Sequence, residues 1–582
     1  MRLIPPYPAV APALLALLWL SAAPASAAAA SAPNIVFILA DDLGWNDVSW
    51  HNDQVVSPNM QQLVDTGVQL EQSYVQPLCT PSRSAFLTGL YPFRLGRQGR
   101  PLGMKTPTGL SLDHTLLPER LSHLGYATHM IGKWHLGYCN WAYTPIEGGF
   151  DTHYGYLLGS EYHFNHTIID GYDFRDQREA DFTANGTYGT HLFADRAVRI
   201  IEEHQGNDQP FFLYLALQNV HSPLEVSPLK EGTEVLAYLN HFLSEFMAPV
   251  ARPIHLLTSW SDSPESCTTL PSYTVVGDMD VIFPAILHTL FHTHAKGVTE
   301  LIEETYCLHD TTMVREVDAK CCAFCLSKVP DEYLVHYPDV LDENRRLLLG
   351  MVTALDEAVG RVVQALKDTG LYDNSVIVFS SDNGGVGMNG ESNQPLRGNK
   401  GSVWEGGTRA AGFVHSPLLQ GTPRVHSGLL HITDWYNTFL ALAGESVLPD
   451  NDGFNQWDSL VDPSVTSPRT TFIYNLDAES EEMILGAIRL LNHKFVMGER
   501  DLVRGGETGP WLFNLEDDPN EAVNLIEFEP ELAVALELLL LEELPNVVPR
   551  DEPPSDPAGD PSNWGGVWTP GWCDVPSALP CE

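Results

Sequence analysis

The sequence has few basic residues for its length. Its 582 residues include 32 lysines and arginines against 75 aspartates and glutamates, which gives a formal net charge of −43 at pH 7. A surface with this charge repels nucleic acids and anionic membranes, so a polyanion can approach only through a locally basic pocket. The charge balance therefore argues against a nucleic acid as partner.

Long hydrophobic runs are absent after the N-terminus. The apolar stretch Ala9–Leu20 follows a basic start and is too short to span a bilayer, and Ala25–Ala27 is a small-residue cleavage pattern. These features predict a signal peptide over residues 1–27 and a lysosomal or secreted protein without a membrane span. Sequons at Asn165 and Asn185 predict a glycoprotein, which agrees with that route.

Cysteine is scarce for a secreted chain of this size, which argues against a disulfide-rich scaffold. Of the nine cysteines, five lie within residues 227–329. Cys139, Cys573 and Cys581 allow three alternative single pairings, and the sequence does not choose among them. Cys79 stands apart, followed directly by Thr-Pro-Ser-Arg. A lone cysteine there would be a small core residue, so its neighbours have to decide its role.

Short, almost continuous apolar runs begin at Asn34, Phe211 and Ser375. Such runs are typical of strands that are covered on both faces, as in a parallel sheet. Amphipathic helical patterns lie between them, one starting at Ser57-Pro58 and one running from about residue 343 to a stop at Gly370. The alternation predicts an α/β domain wound around a mostly parallel sheet.

Polar side chains follow three of these runs. Asp41-Asp42, Asp382-Asn383 and His221 come where a strand is predicted to end. Ligands bind beyond the carboxyl ends of strands in open α/β sheets, so we expect these side chains to meet. Either acidic pair alone would be a turn or a helix cap. Together the four oxygen donors predict a calcium or magnesium site, since zinc prefers histidine and cysteine.

Two motifs carry a resemblance to a known family. The stretch CTPSR at residues 79–83, continuing to LTG at 87–89, resembles the modification signature of the sulfatases, and Gly125–His135 resembles their second signature. The similarity covers most of residues 33–226 and 330–525 and is closest to the N-acetylgalactosamine-4-sulfatase (arylsulfatase B) branch, through stretches such as QPLRGNKGSVWEGGTR. It implies an alkaline-phosphatase-like α/β fold, a mostly parallel sheet sandwiched by helices, with a smaller C-terminal α+β domain.

The resemblance implies that Cys79 is a precursor. In sulfatases a formylglycine-generating enzyme oxidises the signature cysteine to formylglycine, whose hydrated aldehyde is the nucleophile. A serine that attacked sulfate would remain as a stable sulfate ester. A gem-diol keeps a second hydroxyl whose deprotonation expels sulfate, so covalent catalysis splits one hard step into two. Pro81 suits the first position of a helix, which would place residue 79 near a helix N-terminus that favours anions.

The same resemblance implies roles for the neighbouring residues. Arg83 would hold the formylglycine hydrate, and Lys133 and Lys400 would contact the sulfate oxygens. His135 would be the base for sulfate elimination, and His221, with Lys400, would assist the leaving oxygen. A dication in a basic pocket offsets charge that grows on sulfate in the transition state. Calcium would be coordinated by Asp41, Asp42, Asp382, Asn383 and a formylglycine oxygen at position 79.

We predict a catalytic domain over residues 28–443 and a small domain with a Pro/Gly-rich tail over residues 444–582. Residues 227–329 interrupt the resemblance. Three interpretations are open: a translated intron or faulty gene model, a genuine insertion that forms a loop or small module, or a metal site. The metal site would use clustered cysteines whose spacing matches no regular zinc pattern, namely Cys307, Cys321, Cys322 and Cys325.

The expected activity is calcium-dependent hydrolysis of sulfate esters on glycans. The expected substrate is 4-sulfated N-acetylgalactosamine in chondroitin or dermatan sulfate, which would place the protein in glycosaminoglycan degradation. One alternative is a catalytically inactive glycan-binding homologue in which Cys79 stays a thiol or the interruption disrupts the pocket. Another is a phosphatase or phosphodiesterase on the same fold, but those usually bind zinc through extra histidines that this ligand set lacks.

Overall fold

The computed structural model describes residues 32–222 and 329–575, apart from 447, 449, 481–482 and 502–506, together with four short strands between 223 and 328. The chain divides into two compact units, Met1–Glu225 with Lys328–Glu582 and Val226–Ser327. In the second unit the described strands pair antiparallel, Leu256–Leu257 with Thr274–Val275 and Cys307–His309 with Thr312–Val314. The predicted signal peptide and the rest of the interrupting stretch, including Cys321, Cys322 and Cys325, lie outside the described residues.

The predicted apolar runs form the centre of a ten-stranded sheet. Asn34–Ala40 lies between Phe211–Ala216 and Ser375–Ser381, and these three strands are parallel and buried over their full length. Ala127–Lys133 and Thr152–Tyr156 extend the parallel part, and antiparallel strands follow on both sides. From edge to edge the order is Arg424–His426, Val68–Leu70, Gly412–His415, Ser375–Ser381, Asn34–Ala40, Phe211–Ala216, Ala127–Lys133, Thr152–Tyr156, Arg175–Asp176 and Glu179–Ala180.

Helices cover both faces of the sheet, because successive side chains of a strand point to opposite sides. Val36 and Ile38 belong to one core, which also holds residues of the helices Pro58–Val64, Gly189–Glu203 and Glu343–Thr369. Ile35, Phe37 and Leu39 belong to a second core, which holds residues of Cys79–Thr88, Leu117–His123 and Asp434–Leu442. Other described helices are Asp331–Leu334, Glu405–Thr408, Trp457–Val461 and Pro530–Leu541. Within the described part of the chain, no helix has both the length and the apolar character needed to cross a bilayer.

Helix boundaries follow the local sequence in two cases and differ in a third. One helix begins at Pro58 directly after Ser57, and another ends before Gly370, whose φ of 76° is left-handed and favours glycine. The prediction that Pro81 takes the first position of a helix is wrong, because the helix begins at Cys79 and Pro81 is its third residue. The third N–H of a helix has no intrahelical acceptor, so proline is tolerated there as well. Residue 79 does lie at a helix N-terminus, as predicted.

The smaller C-terminal part is a four-stranded antiparallel sheet with Pro530–Leu541 packed against it. Its strands, in order, are Thr471–Ser480, Met483–Leu490, His493–Met497 and Trp511–Asn514. Tyr74 and Trp404, from earlier in the chain, share its core. Short strand pairs elsewhere are Ser73–Tyr74 with Leu430–His431, Thr167–Ile168 with Gly171–Tyr172, and Arg500–Asp501 with Glu507–Thr508.

The Pro/Gly-rich tail is tied back to the larger sheet domain. A disulfide joins Cys139 to Cys573, which selects one of the three pairings that the sequence left open. The Asn140 side chain donates a hydrogen bond to the carbonyl of Cys573 at 2.9 Å, and Arg97 forms a 2.8 Å ion pair with Asp551. The tail is therefore an integral part of the larger unit.

Candidate active site

Two neighbouring parallel strands end side by side at the carboxyl edge of the sheet. Ala40 and Ser381 are paired in register, so Asp41-Asp42 and Asp382-Asn383 leave the sheet at the same point. The N–H of Asp382 donates to the carbonyl of Ala40 at 3.0 Å, and the N–H of Asp42 donates to Asp382 Oδ1 at 3.2 Å. All four polar side chains are buried. The structure thus brings together the four oxygen donors that follow the predicted strands.

Cys79 lies against this group as the first residue of the helix Cys79–Thr88. Its Sγ is 3.6 Å from Asp41 Oδ1, and the side chain is buried. Burial raises the pKa of the Cys79 thiol to about 12, although Lys133 and Lys400 oppose the shift. A thiol with this pKa stays protonated near neutral pH and is a weak nucleophile. Position 79 therefore has the location of a nucleophile, but an unmodified cysteine there lacks the reactivity.

Two lysines neutralise the aspartates that follow the central strand. Lys133 Nζ lies 2.6 Å from Asp41 Oδ2, and Lys400 Nζ lies 2.5 Å from Asp42 Oδ1. Burial alone would raise the pKa of Asp42, but the positive charges of Lys400 and Lys133 outweigh it and hold that pKa below its usual value. Burial alone would lower the pKa of Lys400, but the acidic groups around it outweigh burial and hold that pKa well above its usual value. Lys400 is therefore fixed as a cation.

Arg83 connects the helix to the neighbouring strand end. It lies four residues after Cys79, which puts both side chains on one face of the helix. Its Nε and Nη2 donate to Asp382 Oδ2 at 3.1 and 2.8 Å, and its Nη1 donates to the carbonyl of Lys133 at 2.9 Å. The guanidinium is fully buried. Its three bonds fix the start of the helix relative to two strand ends.

The two predicted histidines lie at different points of the site. His221 Nε2 is 3.6 Å from Asp42 Oδ2, and burial lowers the pKa of His221 to about 3, although Asp42 opposes the shift. His135 makes a 3.1 Å contact from Nε2 to the carbonyl of Leu102, and its carbonyl accepts from the Thr80 hydroxyl at 3.0 Å. Burial, reinforced by neighbouring cations, lowers the pKa of His135 well below its usual value. Both rings are therefore neutral and able to accept a proton.

The donor set fits a hard divalent cation. Asn383 Nδ2 donates to Asp42 Oδ1 at 2.7 Å, while Asn383 Oδ1 is buried and has no hydrogen-bond partner among the described residues. A buried acceptor without a donor is costly, and a cation satisfies it. Ligand atoms of Asp41, Asp42, Cys79 and His221 all lie within 4.8 Å of one another. His221 is not among the ligands predicted from the sequence. Its ring nitrogen lies close enough to the other donor atoms to be a further ligand.

Two buried residues near the site were missed at the level of sequence. The carbonyl of Asn219 accepts the N–H of Asp41 at 2.9 Å, and its side-chain nitrogen donates to the carbonyl of Met351 at 2.8 Å, so it fixes the start of the Asp41-Asp42 turn. Glu391 is 4% exposed, and neither carboxylate oxygen has a hydrogen-bond partner among the described residues. Burial, with the nearby charge of Asp42, raises its pKa well above the usual value. Glu391 lies in a glycine-rich loop where no sequence pattern singled it out.

The sheet, the two helical layers and the position of this site define an alkaline-phosphatase-like α/β protein, which confirms the predicted fold class. The structure is similar to the crystal structure of Ps i-CgsB in complex with k-i-k-neocarrahexaose, with a TM-score of 0.66 over 89% of this chain and 94% of that chain and 24% sequence identity. A likeness at this identity establishes the fold alone.

The chain belongs to the sulfatase family, whose model matches residues 33–445. It is 32% identical to arylsulfatase J of Mus musculus over 94% of this chain and 81% of that relative. It is also 31% identical to N-acetylgalactosamine-6-sulfatase of Sus scrofa, over 39% of this chain and 47% of that relative. The predicted family is confirmed, and membership assigns the hydrolysis of sulfate esters as the reaction. The special closeness to the 4-sulfatase branch stays a prediction.

Proposed function

We propose that this chain hydrolyses sulfate esters of glycans with a formylglycine made from Cys79 and a bound Ca²⁺. The observation that carries the proposal is the position of Cys79. Its Sγ lies 3.6 Å from Asp41 Oδ1 at the start of a helix, next to three buried carboxylates that are paired with Arg83, Lys133 and Lys400. The aldehyde hydrate would supply a nucleophilic hydroxyl and the calcium ion would supply positive charge beside the sulfate.

Carboxylate and amide oxygens would hold the ion. Asp41, Asp42 and Asp382 offer oxygen atoms, and Asn383 offers the Oδ1 atom that is otherwise unpaired. These donors are fixed by the sheet and by Arg83, so little reorganisation is needed when an ion binds. An oxygen on residue 79 would complete the set beside Asp41.

The two lysines have the positive charge that their proposed role requires. Lys133 and Lys400 would bind the sulfate oxygens, and their carboxylate partners hold both ammonium groups in place beforehand. Arg83 would orient the modified residue 79 from the next turn of the same helix. His135 would accept the proton when sulfate is eliminated, through the Nδ1 atom that has no hydrogen-bond partner among the described residues. His221 would assist the leaving oxygen together with Lys400.

For the substrate we propose 4-sulfated N-acetylgalactosamine units of chondroitin or dermatan sulfate, and for the location the lysosome or the extracellular space. The support is the resemblance of stretches such as QPLRGNKGSVWEGGTR to the 4-sulfatase branch. A basic pocket on a chain with a net charge of −43 also concentrates anionic ligand at one place. The formylglycine-generating enzyme would be a transient partner during synthesis.

The test is hydrolysis by the full chain secreted from cells that contain the formylglycine-generating enzyme. We expect turnover of an aryl sulfate, and release of sulfate from 4-sulfated more than from 6-sulfated chondroitin. Cys79→Ala should reduce kcat by about 10⁴-fold or more, whereas Ser84→Ala, on the same buried helix, should keep most of the activity. A folded protein that binds the glycan without releasing sulfate would refute the proposal and favour an inactive glycan-binding homologue.

A further inference from the structure

One of the two sequons lies on a short, well-formed turn at an open surface. Phe182–Ala184 is a 3₁₀ turn, capped at its start by the Asp181 carboxylate, which accepts the N–H of Thr183 at 3.0 Å. Asn185 closes the turn through a 3.4 Å bond from its N–H to the carbonyl of Phe182. Asn185 and the two residues after it are exposed, and a Cβ at Gly186 would meet no atom within 4 Å.

The ring of Phe182 is supported on one side and bare on the other. Its centroid lies 4.8 Å from that of Tyr172, with 31° between the ring planes. Tyr172 is itself buried and donates its hydroxyl to the carbonyl of Asp181 at 2.6 Å, which fixes the supporting ring. Phe182 remains 60% exposed. The turn therefore presents a firmly placed aromatic face to solvent.

The geometry of the turn relates that face to the sequon. In a 3₁₀ helix, side chains three residues apart eclipse each other, so Phe182 and Asn185 lie on the same side. A sugar attached to the Asn185 amide would start beside the Phe182 ring. The C–H face of N-acetylglucosamine is apolar, and aromatic rings are the protein groups that pack on such faces. The turn thus offers both an attachment point and a packing surface for one sugar.

We propose that Asn185 is N-glycosylated and that its first N-acetylglucosamine packs on Phe182, which locks the turn of residues 181–187. The oligosaccharide comes from a lipid-pyrophosphate donor. The Asn185 amide nitrogen loses a proton and forms a bond to C1 of the sugar, while the bond from C1 to the lipid pyrophosphate breaks and the pyrophosphate leaves with its electron pair. This proposal does not depend on the chemistry at residue 79.

The second sequon provides an internal contrast. The Oδ1 of Asn165 accepts from both the N–H and the hydroxyl of Thr167, at 3.0 and 2.8 Å, and the intervening His166 is fully buried. This Asn side chain is already engaged within the loop. The Asn165 loop also contacts the turn, because the N–H of Gly186 donates to the carbonyl of Phe164 at 2.7 Å, so exchange at residues 181–187 is compared only among variants that keep Asn165 unchanged.

The test combines intact mass with hydrogen exchange on the full secreted chain. We expect a glycan on Asn185, and we expect the amides of residues 183–187 to exchange about two- to five-fold more slowly with the glycan than in Asn185→Gln. Enzymatic trimming to a single N-acetylglucosamine should preserve the protection. In Phe182→Ala the glycan should remain attached but give no protection, and Phe182→Trp should restore it.

Phe528→Ala is the matched control, because Phe528 is 77% exposed and far in sequence from either sequon. It should leave the glycan-dependent protection of residues 183–187 unchanged. Secreted protein with an unmodified Asn185 would overturn the proposal. So would an attached glycan whose protection is the same in Phe182→Ala as in the parent chain.

Discussion

The larger unit contains two clusters of buried charges, and they differ in how completely their atoms are paired. In the first, which we call the C-terminal ion cluster, Lys494 Nζ lies 3.0 Å from Glu405 and 2.8 Å from Glu521, with all three side chains fully buried. Tyr74 and Tyr474 each donate a hydroxyl to Glu405 at 2.8 Å, one to each carboxylate oxygen. This cluster joins the small sheet to the rest of the chain, and both carboxylate oxygens of Glu405 have hydrogen-bond donors.

In the second cluster, which we call the active-site cluster, three cations pair with Asp41, Asp42 and Asp382. Some polar atoms beside these charges have no hydrogen-bond partner in the described part of the chain. Asn383 Oδ1 and His135 Nδ1 are buried without a hydrogen-bond partner among the described residues. Buried polar atoms in native proteins are normally satisfied. Buried charge is therefore common to both clusters, and the unpaired Asn383 Oδ1 and His135 Nδ1 are the atoms that the ion and the substrate proposed above would satisfy.

The largest expected effect on stability is in the C-terminal ion cluster. Lys494→Ala leaves Glu405 and Glu521 without their shared cation, and removing one partner of a buried pair costs about 3–5 kcal/mol. Calcium should not restore the loss. Lys105→Ala, which breaks a half-exposed pair with Asp560, is the control and should cost less than about 1 kcal/mol. Equal thermal unfolding of both variants would contradict the stabilising role of Lys494 in this cluster.

The corresponding change in the active-site cluster should act on catalysis. Lys133→Ala removes a positive charge proposed to bind sulfate, and loss of one such group lowers kcat by about 10²–10³-fold. With saturating Ca²⁺ its thermal midpoint should stay close to that of the parent chain, because the ion compensates the charge of Asp41. Steady-state kinetics with an aryl sulfate and calorimetry check the two parts. Near-normal turnover by this variant would contradict the role assigned to Lys133.

Removal of calcium should affect the active-site cluster and leave the C-terminal ion cluster unchanged. Calcium at about 100 times its dissociation constant should raise the free energy of unfolding by about 2.7 kcal/mol. Asn383→Ala should reduce this shift strongly, since it removes the unpaired oxygen. Asn437→Ala, at a buried asparagine outside the site, should keep it. An identical calcium-dependent shift in both variants, measured by thermal unfolding, would place the ion elsewhere.

The smallest expected effect concerns pH and a buried pair outside both clusters, Glu161 and His166, whose side chains are 2.9 Å apart. Burial raises the pKa of Glu161 to about 7 despite His166, and Glu161 outweighs burial to raise the pKa of His166. Both pKa values are higher in the folded state than in the unfolded chain. The stability that the pair contributes is therefore complete below the pKa of the Glu161 carboxyl in the unfolded chain, and it is lost as the pH rises through about 7.

This pair should therefore contribute on the order of 2 kcal/mol to the free energy of unfolding at pH 5, and that contribution should be lost by pH 8. Glu161→Gln should flatten that part of the profile, as measured by denaturant unfolding at several pH values. Glu357→Gln, at a carboxyl on the helix Glu343–Thr369, should leave the slope unchanged. A Glu161→Gln profile with the same slope as the parent profile would contradict the assignment.

Much of the site followed from the sequence because its residues sit at ends of regular elements. Asp41-Asp42 and Asp382-Asn383 come directly after apolar runs, and adjacent parallel strands bring such positions together. The sequence predicts that this helix starts at Pro81, two residues after its actual start at Cys79, because proline is tolerated at several positions of a first turn. Local signals therefore located the elements well and their first residues less well.

The rest depended on contacts between distant parts of the chain. Lys494 and Glu405 carry no local pattern, and only the packing of the small sheet brings them together. The choice of Cys573 as the partner of Cys139 likewise needed the path of the tail. Glu391 lies in an irregular loop, where neither periodicity nor capping predicts burial.

Mass spectrometry of the peptide that contains residue 79 shows whether this residue is an aldehyde in the mature protein, on which the proposed catalysis depends. The chain should be secreted from cells that contain the formylglycine-generating enzyme and digested without reduction or alkylation of position 79. We expect the mass of formylglycine or its hydrate, together with hydrolysis of an aryl sulfate by the same sample. A peptide that carries only the unmodified thiol would contradict this expectation.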